Sequence, residues 1–532
     1  MRAVRQPVCG TGRMSLTRYF RAMTESTTAS QLPHNRRSTG PATWRVFAPL
    51  LLLTAVVGFC LISLEARFAG LKVELLRLGE TPVSLYKLEG AAAAPPVIVA
   101  HGFAGSRQMM DQIAVSLARQ GFVVASVDLP GHGRNGNQLS PDITRIEGTT
   151  AQLVGVIEDV ADALLARADT SEPISFVGHS MATDVVIRAA QNMPDAGGVV
   201  AISMYSPAVT ESSPQALLVV SGAWEGHLRR AGLETVQQIA PDAQEGTTVS
   251  SDDILRRTAV APFVGHVGVL YSSMTLDEVS TWLRTATEAG GPAALDQTGW
   301  VAGVLLVGLV LLVRPVSSFI PSQTVGTVAP VPWRTFLIAI LSPFPAVALI
   351  AALPVFGIGG NAAFGSLSLL LVIWGGVQIA ILRWNGIGFE RPDGTGLLVY
   401  LAIALVFALA LDRYGAAFLP VGDRLIVMLG ILVGTVPLMV SDARLVYRAS
   451  LLRRLLARLA LLLALSTAMA FSPTELGLTF TVLPVLILFY LVYGTMARWI
   501  AARRGSAAVG IGQAVVLAWA IAASTPLFAV AS

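Results

Sequence analysis

The alternation of apolar and polar positions divides the chain into three regimes. Val46–Leu64 is a run of 19 residues without a charge, long enough to cross a hydrocarbon core about 30 Å thick. From 66 to 297 the apolar residues come in short runs separated by amphipathic stretches. Beyond Gln297 the long apolar runs return, at 299–313, 335–356, 364–382, 395–411, 424–440, 455–471, 476–496 and 507–530, broken by short loops that carry Arg, Pro or Gly. This pattern predicts nine transmembrane helices: an anchor at 46–64, and an all-α polytopic membrane domain of eight helices over 298–532.

The middle region, 66–297, has the size of one ordinary α/β domain. A hairpin is expected at 72–78 and 83–88, and strands at 96–100, 122–127, 174–178, 198–204, 216–221 and 258–264. Helical periodicity falls between most of them, at 107–120, 150–167, 181–192 and 275–289. Such alternation predicts a mostly parallel sheet with helices on both faces.

Composition excludes an exclusively soluble protein, since 54% of the residues are hydrophobic and 13% charged. The formal net charge of +4 is unevenly spread: residues 1–45 hold eight Arg against Glu25, residues 66–297 hold 15 basic and 25 acidic groups, and residues 298–532 hold 14 Arg against six acids. The one long polar region is therefore acidic. That argues against a nucleic-acid partner, because binding phosphates needs clustered cations.

Arginine belongs to the loops that flank the spans, and positively charged loops stay cytoplasmic. With the basic tail 1–45, expected to be disordered, on the inside, nine spans put Arg314, Arg334, Arg383 and Arg391, then the Arg residues between 444 and 458, then Arg498, Arg503 and Arg504 inside as well. The alternate loops hold only Arg413 and Arg424. The expectation is a multi-pass protein of the cell (inner) membrane with a cytoplasmic N-terminus and 66–297 on the extracytoplasmic, periplasmic side. A cleaved signal peptide is the rival reading of 46–64; the long leader and the lack of a small-x-small site before Gly70 disfavour it. Two Cys, Cys9 and Cys60, give the polar region no disulfide framework.

Chemistry concentrates at Ile174-Ser175-Phe176-Val177-Gly178-His179-Ser180-Met181-Ala182. An apolar strand that turns through Gly-x-Ser into a helix exposes a hydroxyl at the sheet's edge, where the following N–H and the helix N-terminus favour developing negative charge. The second small position is Ala182 where Gly is usual; Ala is the next smallest side chain.

Further motifs follow in order. Strand 96–100 ends in His101-Gly102-Phe103, strand 122–127 ends in Asp128-Leu129-Pro130-Gly131-His132-Gly133, strand 216–221 leads to Gly222-Ala223-Trp224-Glu225, and Gly265-His266-Val267-Gly268 follows the last strand. With these, residues 71–290 resemble an α/β-hydrolase fold serine hydrolase of the esterase, lipase and acyl-hydrolase kind. The resemblance implies Ser180 as nucleophile, His266 as base, Glu225 (where Asp is more usual) as the acid that orients the imidazole, and the amides of Phe103 and Met181 as the oxyanion hole. Ser alone is a weak nucleophile and needs such a base and such an orienting carboxylate.

Among the six His, His34 falls in the basic tail, His101, His132 and His179 sit within the turns named above, and His227 follows the acid by two residues. Asp252, Asp253 and Asp195 are the substitutes for Glu225. Neither a metal nor an organic cofactor is implied. The connection between strands 198–204 and 216–221 leaves no room for a large lid, so an open cleft is expected, covered in part by 134–148 or 226–257.

The spans after 297 have no Asp, Glu, Lys or His in their apolar interiors, which lowers the case for coupled transport. A passive scaffold or homo-oligomerisation surface is favoured for this half, ahead of lipid access and transport. The reading is thus a membrane-anchored hydrolase of small ester or acyl substrates. Its alternative is a multi-pass transporter or permease with a non-catalytic hydrolase-like outer domain.

Overall fold

The computed structural model describes residues 41–90, 94–168, 172–193, 195–288, 290–292, 294–323, 329–472 and 476–530. Most of the basic tail, with Cys9 and His34, lies outside the described residues. From Pro49 onward the chain forms one compact unit.

The first helix, α1 (Pro41–Ala66), starts five residues before the charge-free run and buries Cys60 and Leu64 against Val301 and Leu305. A nine-stranded sheet follows: β1 (Leu71–Leu78), β2 (Thr81–Leu88), β3 (Pro96–Ala100), β4 (Val123–Val127), β5 (Ser175–His179), β6 (Gly198–Ile202), β7 (Ala216–Gly222), β8 (Thr248–Ser251) and β9 (Ile254–Ala261). Their order across the sheet is β1-β2-β4-β3-β5-β6-β7-β9-β8. Six strands, β4 through β9 in that order, run parallel, while β1, β2 and β8 are antiparallel additions at the edges.

Both faces of the parallel strands are covered, and the period of two decides what each side chain meets. Ile98, Ala100 and Phe176 pack under α3 (Ala151–Ala168) and α4 (Met181–Asn192). Val97, Val99 and Val177 pack under α2 (Asp111–Arg119) and α6 (Ser273–Thr287). A further helix, α5 (Gly226–Gln237), covers β7 through Gly232 against Val219. The order reverses at β3, which lies between β4 and β5, so the crevice at the C-terminal ends of β3 and β5 is where an open α/β sheet accepts a ligand.

Beyond the sheet come α7 (Gly299–Ser317), α8 (Trp333–Leu341), α9 (Phe344–Ala351), α10 (Phe364–Trp384), α11 (Gly394–Tyr414), α12 (Asp423–Val446), α13 (Leu451–Phe471), α14 (Val482–Arg504) and α15 (Ser506–Ser524). Among the described residues nine helical segments are long and apolar enough to cross a membrane, α1 included, with α8 and α9 together making one, Trp333–Ile350. That segment, expected as one apolar run at 335–356 with Pro343 among its candidate kinks, is interrupted between Leu341 and Phe344 at Pro343, which lacks an N–H to continue the ladder.

Small residues let the helices close up. Ser368 Oγ on α10 donates to Gly430 O on α12 (2.8 Å) and Ser441 Oγ on α12 donates to Gln378 Oε1 on α10 (2.7 Å). A Cβ on Gly375 would collide with the backbone of Pro437 and Leu438.

The two halves are tied through backbone. Arg424, 3% exposed at the start of α12, donates to the carbonyls of Gly131 (2.7 Å) and Gly133 (3.1 Å) in the β4 loop, and to Ala522 (2.7 Å) and Thr525 (2.9 Å) at the end of α15. The segment after α15 then pairs like a strand on both sides: Leu139 N donates to Leu527 O (2.9 Å), and Ala362 N donates to Phe528 O (2.9 Å). Arg134 pairs with Asp412 at 2.6 Å.

Candidate active site

Ser180 stands where β5 turns into α4, with φ 53° and ψ −119°. A non-glycine residue at positive φ is strained, and here the turn holds it: its N–H donates to Ile202 O at 2.9 Å on the neighbouring strand. Two small residues make the bend fit. A Cβ on Gly178 would lie 2.6 Å from Ala182 O, and one on Gly102 would lie 2.9 Å from the Ser180 Cβ. The second contact brings the loop after β3 against the hydroxyl-bearing turn.

His266 arrives from the loop after β9, and its Nε2 is 2.8 Å from Ser180 Oγ. Its Nδ1 is 2.6 Å from Glu225 Oε1. An ionised carboxylate only accepts, so the ring proton sits on Nδ1 and the Nε2 lone pair faces the serine hydroxyl. Glu225 closes the loop after β7, and its other oxygen accepts from Ser203 Oγ (2.7 Å) and Gly222 N (2.6 Å). Burial pushes this carboxyl up, but the hydrogen bonds from His266, Gly222 and Ser203 outweigh it and hold the group below the usual Glu range. Glu225, and none of Asp195, Asp252 or Asp253, is thus the carboxylate on His266.

The amides of Phe103 and Met181, expected as oxyanion donors, flank Ser180 from the β3 loop and the first turn of α4. Among the described residues neither amide donates to a protein acceptor, which leaves both free for a ligand oxygen.

His179 and His101 serve the frame. His179 Nε2 donates to the carbonyl of His266 at 2.8 Å, and burial pushes its imidazole down to about 4, so it stays neutral. This tether on the His266 loop is invisible in the sequence, where His179 is only the middle residue of Gly-x-Ser. His101 Nδ1 donates to Gly102 O (2.8 Å) while its Nε2 accepts from Leu129 N (3.2 Å), which sets the loop carrying Phe103. His227 opens α5 and hydrogen-bonds to none of these groups. Ser203, which fixes Glu225, carries a φ of 53° that no sequence signal marks.

Beside Ser180 lies an apolar cavity of about 520 Å³, within the range of small-molecule sites. The sheet half supplies Phe103, Leu139, Ile143, Leu153, Met181 and Val185; the helical half supplies Gly477, Phe480 and Phe528. The Phe480 ring stacks on Phe103, centroids 5.6 Å apart and planes 7° apart, and Phe528 meets the same ring at 6.1 Å. The cleft was expected to be covered by 134–148 or 226–257. The first does line it, but 226–257 folds into α5 and the β8–β9 hairpin, and the remaining wall comes from the half expected to be a passive scaffold.

Residues 92–262 match the family described as serine aminopeptidase, S33; the match includes Ser180 and Glu225 and stops four residues short of His266. No curated protein matches the chain. Solved structures similar to it include dienelactone hydrolase from Anabaena variabilis (17% identity, 41% of this chain and 99% of that one, TM-score 0.33). A CIB-like hydrolase from Thermoplasma acidophilum (18%, 41% and 98%, TM-score 0.32) and a bacterial heroin esterase (12%, 41% and 86%, TM-score 0.31) are others. The sheet topology and the family match establish an α/β-hydrolase fold joined to a helical half of apolar helices.

Proposed function

We propose that the chain is a membrane-embedded serine hydrolase that cleaves ester or other acyl bonds through an acyl-enzyme on Ser180. The observation that carries this reading is the continuous hydrogen-bond chain Ser180 Oγ, His266, Glu225, at 2.8 and 2.6 Å. His266 Nε2 takes the hydroxyl proton as Oγ attacks the carbonyl carbon, and Glu225 stabilises the imidazolium. The amides of Phe103 and Met181 receive the oxyanion, each donor being worth about 3–4 kcal/mol in such sites. Collapse expels the leaving group with the proton from His266, and water repeats the sequence on the acyl-enzyme.

The cavity next to Ser180 suits an apolar acyl group, and the half-exposed His266 faces the side where the leaving group and water exchange. Because Phe480 and Phe528 belong to the helical half, the site accepts substrates at the bilayer surface. The arginine distribution supports an extracytoplasmic sheet half. Of the 14 Arg after residue 297, all but Arg413 and Arg424 fall in the loops or in the helix turns nearest them on the side remote from the sheet, where the positive-inside tendency puts the cytoplasm.

The test is turnover of p-nitrophenyl butyrate and octanoate by the full chain in detergent micelles. Wild type should hydrolyse both and Ser180→Ala should fall to background; equal turnover overturns the reading. Orientation is tested with Gln297→Cys in a Cys9→Ser background and an impermeant maleimide on intact cells, where labelling only after lysis would reverse it.

A further inference from the structure

At the opposite end of the helical half, α12, α13, α14 and α15 enclose a cavity of about 260 Å³ lined by Arg448, Arg454, Arg458, Arg498 and Gln513. It lies at the last turn of α12, where Ala443 and Val446 line it, about 30 Å along that helix from Arg424, and so far from Ser180. None of the four guanidinium groups makes an ion pair among the described residues, and Arg454 lies within electrostatic reach of both Arg458 and Arg498. Four like charges converge there without a lining carboxylate. Asp442, buried on α12, lies within electrostatic reach of Arg458 and offsets one of them; Glu390 is engaged by the Ser506 amide and hydroxyl at 2.7 and 3.1 Å.

Two features prepare the cavity for an occupant. The Arg458 guanidinium is stacked over Tyr490 at 4.2 Å, and Gly494 leaves it room, since a Cβ there would approach Nη2 to 3.3 Å. Gln513 is 4% exposed, lines the cavity and hydrogen-bonds to no described residue. Its side-chain amide is open to the cavity and available to a ligand oxygen.

We propose that this cavity binds a phosphate group, held by Arg454, Arg458 and Arg498 with Gln513 as an uncharged donor. Guanidinium forks match the oxygens of phosphate, and several can share one tetrahedral anion. Alanine and valine side chains on one wall, Ala497, Ala501 and Val509, suit the ester end of an anionic phospholipid, while free phosphate offers the same oxygens. The two sources share one chemistry.

The experiment uses the full chain in detergent. Native mass spectrometry reads retention of phosphatidylglycerol against phosphatidylcholine, and calorimetry reads inorganic phosphate. Retention of the anionic lipid above the zwitterionic one assigns a lipid headgroup; a calorimetric signal with phosphate alone assigns a soluble anion. Either should weaken about 100-fold in Arg454→Gln/Arg458→Gln, at roughly tenfold per charge-assisted hydrogen bond, and less in the double Lys variant, which keeps the charge and loses the fork. Should the Gln pair fail to fold, exposed Arg498→Gln alone is expected to cost about tenfold. Absence of both signals in wild type, or binding that the Gln variants leave unchanged, overturns the proposal. Binding is read directly, so this result stands whether or not Ser180 is a nucleophile.

Discussion

Glu225→Gln is the most informative single substitution in the proposed triad. Oε2 accepts two hydrogen bonds, from Ser203 Oγ and Gly222 N, so a glutamine must keep its carbonyl oxygen there. Its NH2 then faces His266 Nδ1, where the carboxylate oxygen stood at 2.6 Å. A donor in that place forces Nδ1 to accept, and the ring proton moves to Nε2, pointing at Ser180 Oγ. The base is then protonated on the wrong nitrogen with its position unchanged. The expected loss in kcat is about 10³–10⁴-fold, or roughly 4–5.5 kcal/mol at about 1.4 kcal/mol per decade. Ester turnover gives the loss, and the thermal midpoint should move little because shape and two of three hydrogen bonds persist. A decrease below tenfold with the fold intact would refute the claim that Glu225 sets the tautomer.

The helical half's part in the substrate pocket is tested by Phe480→Ala. At ~0.8 kcal/mol per buried methylene, a wall that covers about two methylenes contributes roughly tenfold to the octanoate-over-butyrate ratio of kcat/KM; an unchanged ratio removes Phe480 from the pocket. Stability should fall with acid for a reason in the frame histidines. His179 titrates near 4 when folded and near 6.5 when unfolded, so between those values the unfolded state binds more protons and stability drops as pH falls, by as much as ~3 kcal/mol. His101 and His132, pushed down by burial, act in the same direction. His179→Gln should flatten the midpoint between pH 6.5 and 4, and a slope equal to wild type contradicts this. Arg424→Gln leaves the carbonyls of Gly131, Gly133, Ala522 and Thr525 without their shared donor; a loss of about 1–3 kcal/mol is expected for each buried acceptor left unsatisfied. A thermal midpoint within a degree of wild type would show that the halves dock without it.

The sequence made the strand-turn-helix at Ser180 legible because local packing alone requires Gly178, Ala182 and an apolar strand. His266 and Glu225 were legible through the resemblance that Gly265-His266-Val267-Gly268 and Gly222-Ala223-Trp224-Glu225 carry. What escaped lies in contacts between distant residues. The last strand was expected at 258–264 and runs over Ile254–Ala261, because Arg256 and Arg257 interrupt its apolar pattern; Arg256 is nonetheless fully buried, donating to main-chain carbonyls such as Thr210 O at 3.2 Å. Helix α5 buries only Gly232, Thr235 and Val236, too few to print an apolar stripe. The span expected at 424–440 continues to Val446 through Asp442 and Arg444, charges that neighbouring helices shelter. Phe480 and Phe528 carried no signal at all, since only the docking of one half on the other turns a loop phenylalanine into a pocket wall.

The proposed chemistry requires the Ser180 hydroxyl to be the activated nucleophile. A fluorophosphonate, which phosphonylates such a hydroxyl, followed by peptide mass spectrometry of the full chain, addresses it most directly. One adduct per chain is expected, on the peptide containing Ser180, absent in Ser180→Ala and strongly slowed in His266→Asn. An adduct on another residue, or equal labelling of wild type and Ser180→Ala, would contradict it.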